Sequence, residues 1–379
     1  MRNLLVIAVA AVFMLVGAAT LAVAAQNVGN TSQKGSLLIF PKIDVQSGKD
    51  TIVFISNDYY RTVWLKCYWV DKKQDSEDFM FKLTANQPIW FNAKTGHGTV
   101  NVPPFNFGEP VGELKCWAVD AASSNQISWN HLWGTAKVVD FLTGTAYEYN
   151  SWNFIARGVT RGQPVGTGGE LVLSGASGAY DACPKYLLFN FPAVSDYDDI
   201  IGGLNIIRKP DGKLIFVDYD LTVVPCKEDL RQDRKPTYTK LRFNIWNNDE
   251  VKYTGAYACM KCWYESFLSN LNAGAYQGVA NGSEKFLYKN LHTETGRMRV
   301  QGIPSTVCPE TGEHTGLVGL AVQYMQLISY AQSVVASDDV IVVPLINAVA
   351  GTNANGAGVN VESGFVKWDN EEEVPEDLR

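Results

Sequence analysis

Thr51-Ile52-Val53-Phe54-Ile55-Ser56-Asn57-Asp58 and, shortly after, Val63-Trp64-Leu65-Lys66-Cys67-Tyr68-Trp69-Val70-Asp71-Lys72-Lys73 decide the fold class. Each is a short apolar, β-branched and aromatic run closed by turn-forming polar residues. Runs of this length between such boundaries are strands, not helices. Further on, Leu241, Phe243 and Ile245 alternate with Arg242, Asn244 and Trp246, the period of two of a half-buried strand. No long stretch carries the i, i+3, i+4, i+7 stripe of an amphipathic helix. Short strands repeated along the chain predict an all-β protein of the β-sandwich type.

The N-terminus adds a compartment. Arg2, the apolar run Leu4 to Val16 and the small-x-small stretch Ala22-Val23-Ala24 have the form of a secretory signal peptide over residues 1–24, cleaved on export. Gly17 and Thr20 interrupt the run, which argues against a retained anchor. Leu317 to Val335 is also apolar, but Gln323, Gln326 and Gln332 fall inside it, so it reads as two buried strands or a strand and turn, and no membrane span is expected after cleavage. Uneven strand spacing argues against a membrane β-barrel. The chain of 379 residues has a formal charge of −7, 19% charged residues and 12% aromatics. That excludes a disordered chain and a nucleic-acid binder working through bulk positive charge.

Gly158 to Gly169 (GVTRGQPVGTGG) has the composition of a linker. It divides the mature chain into a sandwich over residues 31–157, a linker over 158–169, a second sandwich over 170–365 and an acidic tail over 366–379. The halves share ordered matches. Asn57-Asp58 matches Asn247-Asn248-Asp249, Cys67-Tyr68-Trp69 matches Cys262-Trp263-Tyr264, Thr95-Gly96 matches Thr295-Gly296, and Ala118-Val119 matches Ala321-Val322. Their smoothly growing offset predicts an internal duplication: two tandem immunoglobulin-like sandwiches, with longer loops in the second.

Seven cysteines in an exported chain are disulfide candidates, and the odd number leaves at least one outside a bond. The candidates are Cys67, Cys116, Cys226, Cys259, Cys262 and Cys308. Cys67 and Cys116 lie in strand patterns beside Trp69 and Trp117, as in the inter-sheet disulfide of immunoglobulin-like domains. A zinc site from Cys226, Cys259, Cys262 and Cys308 is disfavoured because C-x-x-C occurs once. The four histidines, His97, His131, His292 and His314, show no metal-ligand spacing. Ser174-Gly175-Ala176-Ser177-Gly178 fails as a nucleophile elbow because Ala179 stands where glycine is required. Asp196, Asp198 and Asp199 lack the spacing of a calcium loop. No catalytic, metal or cofactor residues are therefore expected.

Aromatics crowd the first half. Trp129, Trp133 and Trp152 are the candidates for stacking on a ligand, with Ser128-Trp129-Asn130 echoed by Ser151-Trp152-Asn153. The phrases LLIFPKIDV (Leu37–Val45), GELKCWAV (Gly112–Val119) and GTAYEYNSWNF (Gly144–Phe154) resemble a family of uncharacterised exported β-sandwich proteins from anaerobic, metal-reducing bacteria. That resemblance implies an envelope or extracellular location, periplasmic or secreted, and brings no functional residues with it. The resulting expectation is a non-enzymatic structural, adhesive or assembly protein whose sheet edges take a protein partner or a second copy. A carbohydrate-binding protein using the first-half aromatics is the alternative, and a secreted enzyme with a cysteine or metal site in the second half is the third reading.

Overall fold

The computed structural model describes residues 27–166, 171–192, 206–208, 214–226, 237–271, 295–308, 315–328 and 342–348. The signal segment, the Asp196–Asp199 cluster, His292, His314 and the acidic tail lie outside them. Among the described residues the regular structure is strand, with one 3-10 turn at Leu268–Asn270. The first half contributes β1 (Leu37–Asp44), β2 (Lys49–Asn57), β3 (Val63–Asp71), β4 (Ser76–Leu83), β5 (Pro88–Asn92), β6 (Val111–Val119), β7 (Leu132–Asp140), β8 (Thr145–Asn150) and β9 (Trp152–Phe154). The second contributes β10 (Tyr186–Pro192), β11 (Ile206–Arg208), β12 (Leu214–Pro225), β13 (Tyr238–Asn247), β14 (Lys252–Lys261), β15 (Tyr264–Phe267), β16 (Thr295–Ile303), β17 (Leu317–Ile328) and β18 (Val342–Ala348). Leu317 to Ile328 is thus one strand, as its glutamines suggested.

In the first half the strands form two antiparallel sheets, β4-β3-β6-β1-β9 and β5-β2-β7-β8. Their facing sides interlock through aromatics. Trp69 meets Phe91 edge-on with ring centroids 5.9 Å apart, and Phe105 packs against Trp69 at 5.5 Å. Gly134 of β7 shows how closely the layers approach, because a Cβ there would lie 2.6 Å from the Phe40 ring. In the second half the orders are β10-β16-β13-β14 and β11-β12-β17-β18, with β15 also paired to β12. The two halves correspond strand for strand: β1-β6-β3-β4 has the neighbours of β10-β16-β13-β14, and β5-β2-β7-β8 those of β15-β12-β17-β18. The four sequence matches do not follow this correspondence. Asn57 ends β2 but Asn247 ends β13, and Ala118 lies in β6 but Ala321 in β17, so those matches are displaced by one strand.

The immunoglobulin comparison holds for the central neighbours β2–β5 and β3–β6. It fails elsewhere. The first strand lies beside β6 and the seventh beside β2, the reverse of the sheets they occupy in that fold. The cystine differs too. Cys67 and Cys116 are directly opposite on adjacent strands of one sheet, with Cα atoms 4.1 Å apart, so their bond crosses a strand pair and not the gap between sheets.

The halves are not separated by a free linker. Residues 158–166 are bound to the first half: Ser128 N–H donates to Gln163 O at 2.9 Å, Val165 N–H donates to Gln126 O at 3.0 Å, and Val165 is buried. Attachment continues through Ala182, whose N–H donates to Asn27 O. Beyond it, β12 and β17 pack on the outer side of β1, and β8 runs beside β18. Trp152 of β9 donates from Nε1 to Gly319 O at 2.9 Å, and Trp263 donates from Nε1 to Pro41 O at 3.2 Å. The far side of β12 packs Tyr219 against Phe189 and Phe191 of β10. The two halves meet where β1 packs on β12 and β17 and where β8 runs beside β18, and the buried apolar residues of both form one continuous cluster. The β4 end of the first half's inner sheet stays open, with Asp78, Met80 and Lys82 exposed.

Candidate functional site

The pleat of the outermost sheet of the first half sets out a row of exposed rings. In β2, β5 and β7, Val53, Ile55, Ile89, Phe91 and Leu132 point inward and are buried. The residues between them must point out. Phe54 is opposite Trp90 on β5, and Trp133 of β7 is opposite Ser56, one same-face step along β2. Phe54, Trp90 and Trp133 are 37%, 40% and 39% exposed. Ser56, Asn92 and the Lys137–Glu148 ion pair lie on the same face and supply hydroxyl, amide and charged groups around the rings. Of the three expected stacking residues only Trp133 faces solvent. Trp129 is buried and donates from Nε1 to Asn57 Oδ1 at 2.9 Å, and Trp152 is buried against the second half. Trp90 belongs to the crowded first-half aromatics noted in the sequence but was not among the three stacking candidates, and Phe54 was missed; each is the middle of three consecutive apolar residues. In a strand, the middle one of such a triplet must point away from its neighbours, and that signal was available.

The row ends at a second aromatic group. Asp58 N–H donates to His131 O at 2.9 Å, bringing the β2–β3 and β6–β7 loops together. There Tyr59 stacks on His131 at 4.5 Å, meets Trp129 edge-on at 5.3 Å, and carries the Arg161 guanidinium 3.8 Å above its ring. Partial burial, then Arg161 and Lys34, hold the His131 imidazole below its ordinary range. Tyr60 is 64% exposed, and its hydroxyl is held down by a hydrogen bond from Tyr59 and by Arg61.

The outward side of β10-β16-β13-β14 is cationic and aromatic, although Asn244, Trp246, Arg299 and Gln301 on it are buried. Lys240 lies over Tyr257, Lys261 over Tyr238, and Lys252 and Arg297 over Trp246, with ring distances of 4.4, 5.6, 5.5 and 4.6 Å. An open groove of about 760 Å³ runs at the Trp246 end, lined by Asn190, Asn247, Glu250, Lys252 and Arg297 among others.

The cysteines form three disulfides: Cys67–Cys116, Cys183–Cys226 and Cys259–Cys308. Cys183, absent from the expected set, is bonded because it precedes β10 where that strand begins near the end of β12. Cys262, expected to bond, is instead the buried thiol, and its Sγ hydrogen-bonds Gln74 Oε1 at 3.0 Å across the junction. This pairing divides the four cysteines considered for zinc, and no metal-competent cluster occurs among the described residues.

Between the halves lies a largely buried polar cluster that meets solvent at Glu265. The register of β1 slips between Phe40 and Ile43, a bulge that presents Lys42 toward the second half. Lys42 is 2% exposed and its Nζ contacts Asp220 and Glu265. Tyr149 OH pins the backbone there, accepting from Lys42 N–H and donating to Lys42 O. Asp220 on β12 is opposite Phe267, and Glu265 on β15 is opposite Thr222, so the two acids are diagonal neighbours on one face. Burial, with Asp220 adding and Lys42 opposing, pushes the Glu265 carboxyl up to about 7. Burial alone would lower the Lys42 amine, but Tyr147, Asp220, Glu265 and Tyr324 outweigh it and hold the amine above its ordinary range.

No family model matches the chain, and no curated protein matches it.

Proposed function

We propose that this is an exported, non-catalytic polysaccharide-binding protein, adhesive in use, built from two sandwiches that arose by internal duplication. The observation that carries the reading is the row Phe54–Trp90–Trp133. Three rings stand exposed on a regular sheet face among hydroxyl and amide groups, although their strand neighbours show that the core could have taken apolar residues. Exposed rings with polar surroundings suit the apolar face and rim hydroxyls of a sugar ring. The cationic outer face of the second half favours an acidic polysaccharide. Export is supported by three disulfides and by the signal-like N-terminus. The coincident strand orders support duplication; the immunoglobulin-like label rests on the central strands alone.

Two alternatives fare less well. Strand addition at an edge is discouraged on β4, which bears Glu77, Asp78 and Lys82. The acid–base cluster around Lys42 meets solvent at Glu265 but keeps Lys42 and Asp220 buried, away from an external substrate. Affinity electrophoresis in gels containing neutral or acidic polysaccharides tests the proposal. Retardation by at least one polymer is expected, weakened about tenfold or more in Trp90→Ala and Trp133→Ala, an effect of at least about 1.4 kcal/mol. Lack of retardation by every polymer, or retardation unchanged in the double variant, removes the reading.

A further inference from the structure

We propose that Lys42 and Asp220 become joined by an intramolecular amide, with Glu265 carrying the protons, so that the two halves are covalently stapled across their interface. This does not depend on sugar binding.

The reactants are held in place from both sides. Lys42 sits on a bulge whose backbone is fixed by Tyr149. Asp220 is in the interior of β12, flanked by β15 and β17, and cannot swing away. Groups fixed in this way react at effective concentrations of up to roughly 10⁵–10⁸ M, enough to favour condensations that fail between free molecules. The reacting pair is also shielded from water, although Glu265 beside it is 25% exposed. The Lys42 and Asp220 side chains are 2% and 5% exposed, and Tyr147, whose ring adjoins the cluster, is buried.

Charge completes the argument. One amine and two carboxyls share this space, and burying both acids ionised would leave an uncompensated negative charge. One carboxyl therefore retains a proton, and Glu265 is the group whose affinity for protons is raised. Glu265 accepts a hydrogen bond from Lys42 Nζ and is the diagonal neighbour of Asp220. The ionic arrangement is poorly satisfied: Asp220 Oδ1, Thr222 Oγ1 and Tyr147 OH are buried without hydrogen-bond partners. Replacing the ion pair by a neutral amide removes two charges from that setting.

The chemistry balances without an oxidant. Although the cluster favours the Lys42 ammonium, contact with Asp220 lets a proton pass from Nζ to the Asp220 carboxylate, giving the neutral amine and neutral acid as a minor form from which the reaction proceeds. The Nζ lone pair adds to Asp220 Cγ. Glu265 protonates the departing hydroxyl, which leaves as water, and takes a proton from Nζ in return. The Cγ–N bond forms, one Cγ–O bond breaks, and Glu265 ends as it began.

Intact mass spectrometry of the full exported chain, reduced and with its N-terminus determined, is the test. The expected mass is one water below that of the sequence. Tryptic digestion should leave Lys42 uncleaved, in a branched peptide with the Asp220 segment that survives reduction. Lys42→Arg, which keeps the cation but lacks the primary amine, should restore the full mass. Glu265→Gln should leave most molecules uncondensed. A full-mass wild-type chain with cleavage after Lys42 overturns the proposal, and complete condensation in Glu265→Gln overturns the part given to Glu265.

Discussion

Acidification from neutral pH should stabilise this protein, and replacing Glu265 by Gln should abolish that gain. The folded chain holds the Glu265 proton up to about pH 7, whereas the ordinary value is 4.5. Between those limits the unfolded chain has released a proton that the folded chain still binds. The contribution is therefore complete below about pH 4.5 and is lost as pH rises through 7. At about 1.4 kcal/mol for each unit, and with some discount for a side chain that is 25% exposed, the loss is on the order of 2–3 kcal/mol. Burial is the leading cause, so the sign is the same whether Lys42 is an ammonium or an amide. His131 acts oppositely in the same range: its ring is held below the ordinary value, so its contribution disappears as pH falls through 6.5. Asp50, whose carboxyl is raised by burial, adds a smaller term of the Glu265 sign. Both remain in the variant and cancel in the comparison. Urea unfolding of wild type and Glu265→Gln at intervals from pH 4.5 to 8 isolates the single group. The gap between the two proteins should change across that window by the stated amount, and parallel curves would refute the reasoning.

Other expectations concern the interface and the cysteines. Trp152→Phe keeps most of the buried ring but leaves Gly319 O without its donor, and should cost about 1–3 kcal/mol in urea unfolding. Removing the Cys67–Cys116 bond by a double alanine substitution reopens a loop of sequence separation 49 and should cost about 4 kcal/mol on the loop-entropy account, read as a lowered Tm. A thiol-specific chromophore should detect one group per chain, Cys262, and only after denaturation, because the side chain is buried at the junction. Gly134→Ala should destabilise by roughly 1–3 kcal/mol, because the added methyl meets the Phe40 ring and Phe54 O within 3 Å.

Strand content was legible from local sequence because the signal is local. Leu241, Phe243 and Ile245 are fully buried and the strand is as expected, but Asn244 and Trp246 on its other face are buried as well, so it is not the half-buried strand the alternation predicted. An odd cysteine count likewise foretold a thiol. Which cysteine carries it was not legible, because Cys183 and Cys226 meet only after β10 and β12 have found different sheets of the same half. The wet face of each strand was also hidden where a further layer covers it. Trp152 and Trp133 have similar surroundings in sequence, yet β9 lies under the second half while the Trp133 side of β7 faces solvent. Lys42 gave no sign of its role. A lysine after proline in an apolar strand looks like an edge residue, and only the bulge and the acids of β12 and β15 give it a buried place. The four sequence matches between the halves join segments that are not topological counterparts, since turn residues recur after many strands and align as readily with one hairpin as with the next.

A row of rings on one sheet face has a geometric corollary. Phe54, Trp90 and Trp133 stand on a single outer face of the first half, whereas Asn244, Trp246, Arg299 and Gln301 on the outward side of β13 and β16 are buried. On the proposed polysaccharide reading, one copy then engages polymer through one face, so adding it to a dilute polymer solution should coat the chains without tying them into a gel.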